Sequence, residues 1–194
     1  MIDYHPAAIA DVARQSAAER CGLRSGDRLL ALNDQPLRDV IDVQVYSAEP
    51  ELQVLFERAG QPQRCEVARR YGEPLGLDFA EEIFDGEPRI CRNNCDFCFV
   101  TQMPVGLRSS LYVKDDYRLS FLHGNYITLT NLGEADWHRI EEQYLTPLYI
   151  SVHATEPDVR ISLMHNPRAG AILEQLERLV DMGIELHTQA VLVP

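Results

Sequence analysis

The sequence predicts an α/β chain in two parts: a small α+β module over residues 1–70, and a run of alternating strands and helices from residue 88 onward. Three observations carry this. Residues 1–70 interleave short β-branched runs with two short helical patterns. From Tyr126 the order is strand–helix–strand–helix–strand, which builds parallel sheet through right-handed crossovers. Between the parts, Tyr71-Gly72-Glu73-Pro74-Leu75-Gly76 gathers chain breakers, so residues 71–87 read as a linker and lead-in.

Length and composition agree: 194 residues suit one average domain or two small ones, and 45% hydrophobic with 25% charged residues is a globular composition. No run approaches the ~18 apolar residues of a membrane span. The start, Met-Ile-Asp-Tyr-His-Pro, lacks the layout of a signal peptide. A cytoplasmic, non-membrane location is therefore expected. The net charge of −12 repels phosphate backbones and disfavours nucleic acid as a partner. Arg89, Arg92 and Arg108 could still form a basic mouth for one anion.

In the first module, Ala7 to Arg14 reads as a weak strand. Ser16-Ala-Ala-Glu19 is a capping box opening a short helix, with Gly22 suited to a left-handed stop. Gly26 to Asp34 is a turn into an apolar strand. Asp39 to Ala48 is a second helix, with Ile41 and Val45 on one face. Leu52 to Phe56 and Arg64 to Ala68 are strands joined across Ala59-Gly60-Gln61-Pro62. Cys21 and Cys65 fall at a helix end and in a strand, and read as small buried hydrophobes.

In the second part, Leu77 to Phe84 has no clear period, Asp85-Gly86-Glu87-Pro88 is a turn, and Arg89-Ile90 is a strand end. Phe99 to Arg108 reads as a loop apolar enough to fold over its neighbours. Leu111 to Asn125 fits neither helix nor strand, and its Lys-Asp-Asp-Tyr-Arg run reads as a solvated, ion-paired loop. Tyr126 to Thr130 is a strand, and Asn131 can cap the helix carrying Trp137, Ile140, Tyr144 and Leu145. Leu148 to His153 is the next strand, Glu156-Pro157-Asp158 starts an irregular helical stretch, Ala171 to Met182 is a helix, and Ile184 to Val193 is the last strand. In parallel sheets ligands sit at the carboxyl ends of strands, which here offer Thr130, Asn131, Ser151, His153 and Gln189. His187 reads as structural.

The chemistry concentrates in Cys91-Arg92-Asn93-Asn94-Cys95-Asp96-Phe97-Cys98. Three thiols at C-x3-C-x2-C spacing can hold three irons of a cluster and leave the fourth without a side-chain ligand. Ordinary clusters and structural zinc sites use four ligands. The alternative is a zinc knuckle closed by His123 or His153.

The motif resembles the signature of the radical S-adenosylmethionine (radical SAM) superfamily, with Phe97 at its aromatic position. That resemblance implies a four-iron–four-sulfur (4Fe-4S) cluster on Cys91, Cys95 and Cys98. It also implies S-adenosylmethionine chelated to the free iron and cleaved to a 5′-deoxyadenosyl radical, which abstracts hydrogen from an unknown substrate. Phe97 would pack by the adenine, and Thr130, Asn131, Ser151, His153 and Gln189 would contact the cofactor. The superfamily's Gly-Gly-Glu-type motif is replaced by Thr130-Asn131-Leu132-Gly133-Glu134.

Residues 16–33, with their Gly22-Leu23-Arg24-Ser25-Gly26-Asp27-Arg28-Leu29 core, resemble a PDZ-like domain. Such modules bind peptides by strand addition. Together with Gly106 to Asp116 and Leu119 to Asn131, they resemble one family, the PDZ-containing radical SAM iron–sulfur oxidoreductases. The implied architecture is a PDZ-like α+β domain followed by an incomplete radical SAM (β/α) partial barrel. Four of six barrel strands are expected, so the chain is expected to be truncated. The implied partners are a protein or peptide substrate offered by the PDZ-like domain, and ferredoxin or flavodoxin as electron donor. A different reading remains open: a non-catalytic iron–sulfur or zinc protein that only binds peptides.

Overall fold

The computed structural model describes residues 3–86 and 88–192, so Glu87 of the expected turn and Val193 of the expected last strand lie outside the described residues. Two compact units result, residues 1–87 and 88–194.

The first unit contains β1 (Ala7–Val12), α1 (Ala17–Arg20), β2 (Arg28–Leu32), β3 (Gln35–Pro36), α2 (Val40–Tyr46), β4 (Glu51–Arg58), β5 (Gln61–Ala68) and β6 (Leu77–Phe79). The sheet is antiparallel in the order β5-β4-β2-β1-β6, with β3 folded back on β2. β2 lies in the middle, and Leu29, Leu30, Ala31 and Leu32 are all buried, as a strand covered on both faces requires. Ile9, Val54, Phe56 and Val67 join them, and α1 adds Ala17 and Ala18. Each fully buried large side chain among them contributes about 1.5–3 kcal/mol.

The local signals act as the residues dictate. Ser16 Oγ accepts the Glu19 N–H at 3.1 Å, but the Glu19 carboxylate takes the N–H of Gln15, at 2.5 Å, rather than that of Ser16. Asp39 caps α2 from outside it, its Oδ1 accepting from the Ile41 and Asp42 amides. Ala59 and Gly60, both at positive φ, close the β4–β5 hairpin as a two-residue turn. Asp27 is buried and takes Arg58 Nε at 2.7 Å and Nη2 at 2.6 Å.

Two readings change. Residues 71–87 supply β6, which pairs with β1 through Ile9–Phe79 and Val12–Leu77, so this stretch completes the first sheet. At its start Gly76 has φ +80°, and a Cβ there would stand 2.3 Å from Ser16 Cβ, an approach that only glycine allows. Cys21 and Cys65, expected as separate small buried hydrophobes, are half-buried and joined as a disulfide.

The second unit contains α3 (Phe99–Gln102), a 3-10 turn (Ser109–Tyr112), α4 (Tyr117–His123), α5 (Glu134–Glu142), β7 (Leu148–Ser151), α6 (Pro157–Met164), a second 3-10 turn (Pro167–Ala171), α7 (Ile172–Asp181) and β8 (Leu186–Gln189). β7 and β8 pair in parallel from Leu148–Leu186 to Ser151–Gln189. Ile127, Leu129, Ile140, Leu145, Leu148 and Ile150 are buried in this unit.

The expected strand Tyr126–Thr130 is reduced to one parallel bridge between Ile127 and Ile150. Leu129 has φ +63°, outside extended backbone, and the Thr128 amide donates to Asp115 instead of to a ladder. Arg89-Ile90 forms no strand. The Lys-Asp-Asp-Tyr-Arg run is not a solvated loop: Asp115, Asp116, Tyr117 and Arg118 are all buried, and Asp116 caps α4 through the Arg118 amide. Asn131 does not cap α5, which begins after Gly133, with Asp136 Oδ2 accepting the Gly133 N–H. Pro157 at the first turn starts a regular helix where an irregular stretch was expected. In α5 Trp137 and Ile140 are buried; the helix ends at Glu142, before the expected Tyr144 and Leu145, of which Leu145 is buried and Tyr144 exposed. Among the described residues, no helix is long and apolar enough to cross a membrane.

Candidate metal centre

Residues 91–95 adopt no regular secondary structure, yet burial alternates along them. Cys91, Asn93 and Cys95 are half-buried, whereas Arg92, Asn94 and Asp96 are exposed. Period-two alternation puts Cys91, Asn93 and Cys95 on the inner face of an extended segment. A turn then follows, with the Cys98 amide donating to Cys95 O at 3.1 Å, and Cys98 opens α3. The three cysteines carry free thiols.

Burial pushes the Cys95 thiol up to about 11, and the neighbouring Cys91 and Cys98 push it the same way. Cys91 is raised by burial and then by Asp115. Both raised thiols thus feel burial first and neighbouring negative charge second. Cys91 and Cys95, so raised, hold their protons unless a cation compensates them. Three soft sulfur donors of this kind suit an iron–sulfur centre. Among the described residues, no three His, Cys, Asp or Glu side chains converge on a single ion. A four-iron cluster takes one thiolate per iron, so its ligands need not meet at one point.

The loop is tied to the Thr128–Thr130 segment and to Asn166. Asn93 Nδ2 donates to Thr128 Oγ1 at 3.0 Å, and Asn93 Oδ1 accepts from Thr130 Oγ1 at 3.1 Å and from Asn166 Nδ2 at 2.7 Å. Thr128 donates in turn to Asp115, by its amide and by its hydroxyl, the latter at 2.8 Å to Oδ2. Burial raises the Asp115 carboxyl, opposed by those Thr128 bonds and by the Arg160 charge. The Asn94 amide donates to Met164 O at 3.0 Å as a second tether.

Arg160 lies deeper, 0% exposed, and its guanidinium binds four carbonyls: Val152 at 2.8 Å, Ala169 at 2.6 Å, Thr128 at 3.0 Å and Ser151 at 2.9 Å. It clamps the Ile127 segment, the end of β7 and the second 3-10 turn together. Burial pulls it down to about 10, still charged at neutral pH.

The residues expected to meet a cofactor divide into two groups. Phe97 and His153, far apart in sequence, meet edge to face with ring centroids 4.8 Å apart. Burial and then the Arg160 charge hold His153 below the ordinary histidine range, and its Nδ1 accepts the Val191 amide at 3.1 Å. Ser151 and Gln189 pair across the ends of β7 and β8 at 3.2 Å. Thr130 and Asn131 are engaged within the protein, Thr130 with Asn93 and Asn131 Nδ2 with Asp115 O at 2.8 Å. His187 stacks on Tyr149, as a structural side chain does. Arg89 is held by Asp136 and by Tyr117, so it does not open a basic mouth. Phe99, Val105 and Leu107 are exposed rather than folded over neighbours.

A Radical SAM-like domain model matches residues 69–194. The chain belongs to that family. A PDZ domain model matches residues 9–54, within the antiparallel sheet of the first unit. No curated protein matches the chain. This radical SAM-like chain thus has the two-part composition expected from its motifs. Sequence reasoning missed Asn93, Thr128, Asp115, Asn166 and Arg160. Only the first two left a signal: an amide midway between two cysteines, and threonines two apart in the chain.

Proposed function

We propose that this radical SAM-like chain binds a 4Fe-4S cluster through Cys91, Cys95 and Cys98, and S-adenosylmethionine beside it. One observation carries the reading: three half-buried free thiols share one loop, and that loop is tied by Asn93 to Thr128, Thr130 and Asn166 and by Asn94 to Met164. Bound there and given one electron by ferredoxin or flavodoxin, the pair would supply reductive cleavage of the sulfonium to methionine and a 5′-deoxyadenosyl radical. The chain's own part is to hold and orient. Phe97 offers an aromatic ring at the loop, steadied by its contact with His153. Ser151 and Gln189 present hydroxyl and amide groups where the strands end. Thr130 and Asn131 serve the site by bracing it from within. A peptide held by the PDZ-like domain is the candidate substrate class, read from that domain's presence alone.

Anaerobic reconstitution with iron and sulfide, followed by assay for 5′-deoxyadenosine, tests the reading. A brown protein that cleaves S-adenosylmethionine, and loses both properties in Cys95→Ala, is the expected result. A colourless protein carrying one zinc and forming no 5′-deoxyadenosine would overturn it and leave a peptide-binding module.

A further inference from the structure

We propose that Asn93 is a positioning residue that sets the spacing of Cys91 and Cys95, through a hydrogen-bond chain running over Thr128 to Asp115. The proposal rests on the reading of these cysteines as cluster ligands. Cys91, Asn93 and Cys95 occupy successive inward positions of one extended segment. That segment has no ladder to fix it, so the Asn93 amide takes the place of one, with three bonds of 2.7–3.1 Å to Thr128, Thr130 and Asn166.

The count of protons fixes which way the amide faces. Thr128 has one hydroxyl proton, and Asp115 Oδ2 receives it at 2.8 Å. Its oxygen must then accept, so the group facing it is Nδ2, the donor side of Asn93. On the other side Asn166, whose Oδ1 accepts the Arg168 amide, turns its Nδ2 donor to Asn93 Oδ1. Asp115 is buried and fixed by the Thr128 amide, so it does not turn away. An aspartate at position 93 would set an acceptor against an acceptor and bring a second carboxylate beside the thiols. Alanine would release the loop from all three partners. A polar filler with no bearing on the sulfurs would leave iron binding alone.

The experiment reconstitutes the full chain and its Asn93→Ala, Asn93→Asp, Thr128→Val and Thr128→Ser variants with iron and sulfide. It then measures iron retained against a chelator and the electron paramagnetic resonance spectrum after reduction, with far-ultraviolet circular dichroism reporting the fold. Asn93→Ala, Asn93→Asp and Thr128→Val should each hold iron about tenfold more weakly, the loss typical of groups that orient ligands without touching metal. Thr128→Ser, which keeps the hydroxyl, should match the parent. Parent-like iron retention and spectrum in Asn93→Ala and Thr128→Val would overturn the proposal and leave the cluster reading standing. So would equal losses in Thr128→Val and Thr128→Ser. If Asn93→Ala fails to fold, the two Thr128 variants decide. A parent chain that takes up no iron removes the cluster reading itself, and does so before any substitution is compared.

Discussion

Replacing Arg160 by methionine removes a guanidinium that is 0% exposed and donates to four carbonyls at 2.6–3.0 Å. Hydrogen bonds made by a charged group contribute about 1.5–3 kcal/mol each, so four at the low end come to about 6 kcal/mol. Against this stands the penalty of keeping the charge buried. The fall to about 10 corresponds to about 3 kcal/mol that a neutral side chain would recover. The net expectation is a loss of about 3 kcal/mol, a large fraction of the 5–15 kcal/mol that holds a typical domain. Trp137, the single tryptophan, is buried in α5, so its fluorescence in a guanidinium titration follows the second unit. Arg160→Lys, which keeps the charge but has only three donors, should fall between the parent and Arg160→Met. A loss under about 1 kcal/mol in Arg160→Met, the worth of a single ordinary bond, would refute the idea that the four carbonyls depend on this side chain.

Gly76→Ala should destabilise the first unit by about 2 kcal/mol, since the methyl meets Ser16 Cβ in a left-handed backbone, and calorimetry of the chain would read it. The hydrogen bonds from Arg58, opposed by burial, hold the Asp27 carboxyl below its ordinary value of 3.8. A depressed carboxyl stabilises the fold above the unfolded value and loses that contribution as pH falls through the folded one. The first unit should therefore weaken below about pH 4, and Asp27→Asn should flatten that part of the pH profile. Single alanine replacements at Cys91 and Cys98 should abolish visible absorption after reconstitution, as at Cys95, while leaving the circular dichroism of the iron-free chain unchanged.

Much of the first unit was legible because its signals are local. A serine three before a glutamate and a glycine after a helix each fix their own few residues, whereas the expected four-residue join Ala59-Gly60-Gln61-Pro62 shrinks to its first two, Gln61 and Pro62 belonging to β5. β6 was not legible, because a three-residue strand earns its place only from β1, some seventy residues earlier. The buried Asp115–Arg118 run misled for a related reason. Charge predicts exposure unless partners are known, and here the partners are the Thr128 amide and hydroxyl, the Arg89 amide and a neighbouring guanidinium. Of the candidate site, the cysteines were legible from spacing alone. The meeting of Phe97 with His153, and of Ser151 with Gln189, depends on long-range folding that no local pattern carries.

The return of β6 to β1 bears on how the gene can be cut. The PDZ match stops at residue 54 and the Radical SAM-like match starts at residue 69, yet Leu77–Phe79 closes the sheet that begins at Ala7. A recombinant piece ended near residue 70 would bare the edge of its first strand and invite aggregation. One carried through residue 86 would keep that edge paired. The seam between the two inherited sequence blocks is therefore not the place where the polypeptide can be divided.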